Sequence, residues 1–415
     1  MRLWFVHQNF PGQYRHIAKC FADNPEHDVV TIGENSHLLL NGAQQFTYKK
    51  PEGASATTHH YIRGLESAVR RGQELARLAL ELKNKGLTPD IVCSHPGWGD
   101  TLYIKDIFPD VKLLSYFEFF YCSTGADVDF DLEFSKISLD DMCRVRTKNT
   151  INLLTLEMAD WGVSPTQWQA SQFPEYYQSR MSIIHDGIDT DVVRPEPQAK
   201  VTVGRNNRVF THDDEVITYV ARNLEPYRGF HVFMRALPEI LRRRPNAHVF
   251  IVGGDEVSYG RPPPNKKTYR TWLLDELEGK LDLQRVHFFG RVPYQHYLNI
   301  LQISAAHVYL TYPFVLSWSL MEAMSAACPI VASRTPPVEE VIADGVNGVL
   351  FDFFSPDDLC ESVCRLLDEK DLAAALGAEA RRVIQKRYDL TRVCLPRQVR
   401  LVEDVALGRT PAALR

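Results

Sequence analysis

The stretch VITYVARNLEPYRGFHVFMRALPEIL, residues 216–241, decides the fold. Val216 to Ala221 is a short run of β-branched and apolar residues, the length of one buried strand. Asn223 to Pro226 interrupts it with turn-forming residues. From Phe230 onward apolar residues recur at helical spacing, at Phe233, Met234, Leu237, Ile240 and Leu241, so a helix is expected over Phe230 to Arg243. A buried strand, a short loop holding Gly229 and an amphipathic helix make half of a βαβ unit.

The same alternation extends in both directions. Upstream, strands are expected at Leu3 to Val6, His27 to Ile32, Ile91 to Ser94, Val111 to Phe117, Trp161 to Ser164 and Met181 to Ile184. Helices are expected at Gly12 to Ala22, at about Leu65 to Lys85 and at about Ser138 to Ala159. Downstream, strands are expected at His248 to Val252, Val286 to Phe289, Ala306 to Leu310 and Ile330 to Ala332, with a helix at Trp318 to Ala327. The polar stretch from Pro195 to about residue 212 lacks periodicity and reads as a linker. The expected fold is α/β, with two doubly wound Rossmann-like domains, residues 1–195 and 196–390, facing a central cleft. A C-terminal helix at about 390–415 is expected to pack back on the first domain. In such folds ligands bind beyond the carboxyl ends of the strands.

The chain has 415 residues, 45% of them hydrophobic and 24% charged, with a formal net charge of −5. That is ample apolar surface for packed cores, and it argues against a disordered chain and against a dedicated nucleic-acid binder. The start, MRLWFVHQNF, reads as a strand rather than a signal peptide, and no apolar run reaches the length of a membrane span. A cytoplasmic protein is expected. The cysteines are scattered without a Cys-x-x-Cys pair and read as free thiols.

Four strand ends carry candidate chemistry. Gly12, after the first strand, either forms a tight turn or lets a ligand approach backbone amides at a helix N-terminus. His95, after Ser94 and ahead of Gly97, Trp98 and Gly99, points from a strand end, where it can donate to a substrate hydroxyl or take up a proton. Arg222 and Arg228 flank a loop with forked donors suited to a diphosphate, and would steady negative charge on it as it departs. In YPFVLSWSLMEAMSAACPIV, residues 312–331, Ser317, Trp318 and Ser319 open a helix whose first N–H groups can hold a phosphate. Glu322 lies within that helix among apolar neighbours, where an unpartnered carboxylate is costly; a ribose diol would partner it.

These blocks resemble the retaining glycosyltransferases of family 4, which have the GT-B fold. The matching segments are ARNLEPYRG at 221–229, FFGRVP at 288–293, LMEAMSAACPIVAS at 320–333, TPPVEEVI at 335–342, DGVNGVLF at 344–351 and HDGIDTDVVRP at 185–195. The opening HQNFPGQYRHIA, with PYRGFHVFMRALP and VLSWSLMEAM, is similar to a bacterial subgroup linked to surface polysaccharides. The resemblance implies transfer of a sugar from a nucleotide-diphosphate sugar to a hydroxyl acceptor, with retention and with no metal or other cofactor. Arg222 and Arg228 would hold the donor diphosphate, Glu322 the ribose, Gly12 would line the cleft near the phosphates, and His95 would face the transferred sugar. The family usually carries a second glutamate eight positions before Glu322; this chain has Phe314 there, and Ser317 where a glycine is usual. A nucleotide-sugar epimerase and a non-catalytic nucleotide-sugar-binding subunit remain as alternative readings.

On the acceptor side, Trp98, Glu118, Asp127 and Asp129 are candidates for a glycan, lipid-linked or small-molecule acceptor. The run Asp127, Asp129, Asp131 reads in three ways: a solvated loop, an acceptor contact, or oxygen ligands for a divalent metal. The helix with Arg63, Arg70, Arg71, Arg77, Lys83 and Lys85 reads either as a solvated face or as a peripheral contact with the inner membrane face. No nucleic-acid partner is expected.

Overall fold

The computed structural model describes residues 1–36, 38–134, 136–204, 207–263 and 267–411. The chain forms two compact units. The first comprises Met1–Asp129, Lys136–Gly187 and Thr391–Arg415; the second comprises Phe130–Ser135 and Ile188–Leu390.

The first unit is built on a seven-stranded sheet. Its order across the sheet is Ala43–Thr47, Asp28–Gly33, Arg2–Val6, Ile91–Ser94, Lys112–Tyr116, Trp161–Ser164 and Met181–Ile183. All these strands pair in parallel. Strand order reverses between Arg2–Val6 and Ile91–Ser94, where Val6 stands opposite Ser94. That level register puts His7 and His95 side by side at the carboxyl end, the place where doubly wound sheets bind ligands. Leu3, Trp4, Phe5 and Val6 are fully buried. A strand covered on both faces reads as a continuous apolar run, which is why it shows in the sequence.

The second unit has a six-stranded parallel sheet in the order Val286–Gly290, His248–Gly254, Val216–Asn223, Ala306–Tyr309, Ile330–Ser333 and Val349–Phe351. Its order reverses between Val216–Asn223 and Ala306–Tyr309. The helix Phe230–Arg243 buries Phe230, Phe233, Met234, Leu237, Ile240 and Leu241, the face its spacing predicts.

Several features differ from expectation. The boundary falls between Gly187 and Ile188 rather than at 195, because Ile188 bridges to Asp389 and bonds Tyr388 and Leu390 at the other end of the unit. Within the expected linker, Val201–Val203 and Arg208–Phe210 form an antiparallel pair. Val201 and Phe210 are buried, but three-residue strands are too short to show a period. The helix expected over 138–159 is two helices, Leu139–Lys148 and Thr150–Met158. Asn149 breaks it: its side chain accepts from the Tyr121 N–H at 2.9 Å and donates to the Tyr121 carbonyl at 2.7 Å. Finally, the strap from Phe130 to Phe134, expected in the first domain, is built into the second unit.

The C-terminal helix Leu395–Ala406 clusters with the first unit, where Leu401, Val402 and Val405 pack with Ile17 and Phe21. Among the described residues no helix is long and apolar enough to cross a membrane. The eight cysteines are free thiols.

Candidate functional site

The site of the first unit gathers at its sheet reversal. After Val6 the chain turns through His7 and a cis Phe10–Pro11 bond into Gly12. Gly12 has φ +47, and a Cβ there would lie 2.4 Å from His7 Nε2, so only glycine closes this turn over the imidazole. His7 is buried, and its Nδ1 accepts from the Asn9 N–H at 3.0 Å. Burial, helped by the neighbouring His95, lowers its pKa to about 4, so it is neutral at physiological pH.

His95 is buried too. Its Nδ1 accepts from the Gly97 N–H at 3.1 Å, so in the neutral ring the proton sits on Nε2. That nitrogen has no hydrogen-bond partner, and Glu118 Oε2 lies 3.6 Å away. His95 is therefore poised as a donor; of the two roles expected for it, proton uptake is the one this geometry disfavours. Its ring stacks on Tyr116 at 5.6 Å and lies 4.7 Å from Trp98. Gln13 Nε2 reaches Glu118 Oε1 at 3.5 Å. Arg71 braces the loop from below, bonding the Trp98 carbonyl at 3.2 Å and Glu34 at 3.2 Å. Gly12, His95, Trp98 and Glu118 are thus neighbours, drawn together by adjacent strand ends. Gln13, in the loop after the first strand, joins the group, and His7 and Arg71, which the sequence had not singled out for this site, complete it.

The acidic run divides. Asp129 accepts from the Gly125 N–H at 3.0 Å, within the first unit. Asp127 is buried, and its charge bears on Lys148, whose ammonium burial pushes down to about 8. Asp131 is buried in the second unit. The solvated-loop reading is therefore wrong for Asp127 and Asp131. Asp131, Glu133 and His231 offer ligand atoms within 4.8 Å of one another. Each already has a partner: Asp131 meets His231 Nε2 at 3.1 Å, and Glu133 takes two hydrogen bonds from Arg235 at 2.7 Å.

In the second unit the reversal lies between the loops after Asn223 and Tyr309. Pro226–Arg228 forms one 3₁₀ turn, closed by Gly229 at φ +63. A Cβ on Gly229 would meet Leu310 Cβ at 2.3 Å. Arg222 is exposed, and among the described residues its guanidinium makes no hydrogen bond or ion pair. Arg228 differs from expectation: it is buried, and its Nη1 donates to Tyr309 Oη at 3.2 Å, Thr311 Oγ1 at 2.8 Å and the Val315 carbonyl at 3.0 Å. It ties the two loops together, and Tyr259 and Phe314 rings flank its guanidinium at 5.5 and 5.9 Å. Phe314, where the resembling family has a carboxylate, is buried against Tyr227 and Tyr259.

Glu225, which the sequence reading passed over, is fully buried. Its carboxylate accepts from three successive backbone N–H groups, of Ser258, Tyr259 and Gly260, at 3.0, 3.1 and 3.1 Å. It fastens the loop after one strand to the loop after the next.

Ser317 caps the helix Trp318–Ser325 by accepting from the Ser319 N–H at 3.2 Å, and Trp318 is half exposed at its first turn. Both Glu322 oxygens accept tyrosine hydroxyls, from Tyr294 and Tyr297, each at 2.7 Å. Burial raises the Glu322 pKa, and the two phenols oppose that shift. The carboxylate is oriented from the neighbouring helix Tyr294–Gln302.

The basic helix of the first unit is Arg63–Asn84. Arg70 pairs with Glu66, Arg77 with Glu74 and Lys85 with Glu81, while Lys83 bonds the Ile107 carbonyl. Most of its charge is neutralised locally, which lends no support to a membrane contact.

Residues 25–193 match the family described as glycosyl transferase family 4 group, and residues 204–383 the family described as glycosyl transferases group 1. The chain is 24% identical over 220 residues to the D-inositol 3-phosphate glycosyltransferase of Corynebacterium efficiens, covering 52% of this chain and 50% of that protein. It is 27% identical over 248 residues to the enzyme of the same name from Thermobifida fusca, covering 57% and 52%. The chain spans about half the length of the curated relatives it matches. In fold it is similar to sucrose-phosphate synthase from Thermosynechococcus elongatus, with a TM-score of 0.73 at 12% identity over 98% of this chain and 100% of that one. It is also similar to Anabaena HepE solved with UDP-glucose, with a TM-score of 0.67 at 14% identity over 97% and 99%. The fold is GT-B.

Proposed function

We propose that this chain, whose residues 25–193 match the glycosyl transferase family 4 group and residues 204–383 the glycosyl transferases group 1, moves a sugar, with retention, from a nucleotide-diphosphate sugar to a hydroxyl acceptor, in the building of a surface glycan or glycoconjugate. The observation that carries the donor half is the exposed Arg222 guanidinium at the sheet reversal of the second unit, one short turn before Gly229 and the helix Phe230–Arg243. A forked cation there binds a diphosphate and stabilises its charge as the glycosidic bond breaks. Arg228 acts from inside, fixing the loops that present it. The first turn of Trp318–Ser325 holds phosphate oxygens, and Glu322, oriented by two phenols, accepts from the ribose.

On the first unit, the Nε2–H of His95 donates to a hydroxyl of the transferred sugar, and Trp98 and Glu118 meet the acceptor. The transition state has oxocarbenium character. No carboxylate is assigned as a covalent nucleophile. The acceptor hydroxyl attacks the face the diphosphate leaves, and a diphosphate oxygen takes its proton. The inositol phosphate named for the relatives and the UDP-glucose bound by HepE support a small polar acceptor and a uridine donor as the first pair to try.

The test is a matrix of UDP-, GDP- and ADP-sugars against polyol phosphates, oligosaccharides and lipid-linked acceptors, with the product anomer assigned by NMR. A new glycoside with the donor's anomeric configuration supports the proposal, and an inverted one removes retention. Conversion of the sugar nucleotide without acceptor would favour the epimerase. Binding without turnover would favour the binding subunit, for which Phe314 speaks. Activity is expected to persist in EDTA; its loss, with rescue by Mn²⁺, would return Asp131, Glu133 and His231 to consideration as a metal site.

A further inference from the structure

The strap from Phe130 to Phe134 lies, in sequence, between two stretches of the first unit, yet it is an integral part of the second. Four of its five side chains make contacts within that unit. Phe130 packs on Tyr312 at 5.2 Å and on Phe353 and Phe354 at 5.0 Å each. Leu132 is 68% exposed and takes no part. Glu133 holds Arg235, which also grips Glu276 at 2.7 Å. Phe134 packs on His231, Tyr269 and Trp272 at 4.7, 5.8 and 5.7 Å.

Asp131 is the centre of the strap. It is 3% exposed, and His231 beside it 2%. One oxygen accepts from the Tyr312 hydroxyl at 2.7 Å and meets His231 Nε2 at 3.1 Å; the other accepts from the Glu133 N–H at 3.0 Å. A buried carboxylate this fully bonded holds its partners as firmly as they hold it, since releasing any one leaves a buried charge short of a donor.

Tyr312 carries the contact onward. Its backbone N–H donates to the Tyr227 carbonyl at 3.0 Å, and its ring lies 4.7 Å from the Tyr227 ring. Tyr227 is the middle residue of the turn Pro226–Arg228, which sits between Arg222 and Gly229. Asp131, Tyr312 and Tyr227 are therefore consecutive links ending at the loop assigned to the donor diphosphate.

We propose that the strap is a positioning element for the donor loop, with Asp131 acting through Tyr312, so that nucleotide affinity depends on a segment threaded in from between two stretches of the first unit. This rests on the reading that the 222–229 loop holds the diphosphate. The test measures, by titration calorimetry, the affinity of the whole chain for UDP, with GDP and ADP in parallel. The variants are Asp131→Ala, Tyr312→Phe, the double variant and Arg222→Ala, with a melting curve on each sample. Tyr312→Phe keeps the stacked ring and removes only the hydroxyl, so it carries the test if Asp131→Ala does not fold.

Each single strap variant should raise Kd about fivefold or more, the lower range for coupling between sites. The double variant should bind no worse than the weaker single one, because both break the same link. Lowered melting temperatures with unchanged Kd would reduce the strap to a structural role and overturn the inference alone, provided Arg222→Ala weakens binding. Unchanged affinity in Arg222→Ala, or no binding of any of the three nucleotides by the unaltered protein, would overturn the donor-loop reading and the inference with it.

Discussion

At the scale of single residues, the two arginines of one loop have different duties. Arg222 is exposed, so Arg222→Ala should leave the melting curve in place and cut kcat/KM by roughly 10²–10³, about 2.7–4 kcal/mol, as for a lost positioned donor. Near-normal kcat/KM would remove it from the site. Arg228→Ala, by contrast, deletes three hydrogen bonds of a buried guanidinium and should destabilise the fold as well. Glu322→Gln separates two roles. The amide oxygen can accept one tyrosine hydroxyl and the amide N–H₂ can donate to the other, so the fold should persist. If the carboxylate meets the ribose, the nucleoside diphosphate Kd should rise about tenfold, about 1.4 kcal/mol. Unchanged affinity with a lowered melting temperature would make Glu322 a helix-to-helix tie and nothing more. These positions were legible because they follow apolar strands that any reader of the sequence can place. Glu225 was not legible: its three donors lie 33 to 35 residues away, in a loop with no pattern of its own. Nor were Tyr294 and Tyr297, which reach Glu322 across 28 and 25 residues.

At the scale of elements, the strand-turn-helix of residues 216–243 depends on one backbone conformation. Gly229→Ala would place a residue with a Cβ at φ +63 and against Leu310. The strain alone is about 1–3 kcal/mol. Denaturant unfolding should show a lowered midpoint, and an unchanged one would mean that the turn relaxes freely. The elements themselves were readable where both faces of a strand are covered. Ala43–Thr47 was missed because this edge strand, AQQFT, is polar and only half-buried. The hairpin at 201–210 was missed because three residues cannot establish an alternation. The strap was invisible for a different reason: its pairing with Tyr312 spans 181 residues, and a Phe-Asp-Leu-Glu-Phe run has no local signature of docking.

At the scale of the whole molecule, four buried histidines set the response to acid. Burial lowers His7, His185 and His248 to about 4 and His307 to about 3, from an ordinary 6.5. Between about 6.5 and 4 the unfolded chain therefore binds protons at these rings that the folded chain refuses. Asp100, whose carboxyl burial pushes up to about 6, works the other way at one position, and on balance stability falls as pH falls through that window. Melting temperature should be level from pH 8 to 7 and decline below about 6; a flat profile down to pH 5 would contradict the burial of these rings. The way the chain is threaded also bears on how such proteins can be recombined. A gene fusion that joined the first 187 residues of one homologue to the remainder of another would look clean at the boundary. It would nevertheless graft a foreign strap onto His231, Tyr269, Tyr312 and Phe353. If the strap positions the donor loop as proposed, nucleotide affinity would then match neither parent unless residues 130–134 travelled with the second half, and inheritance of that property would be discontinuous along the gene.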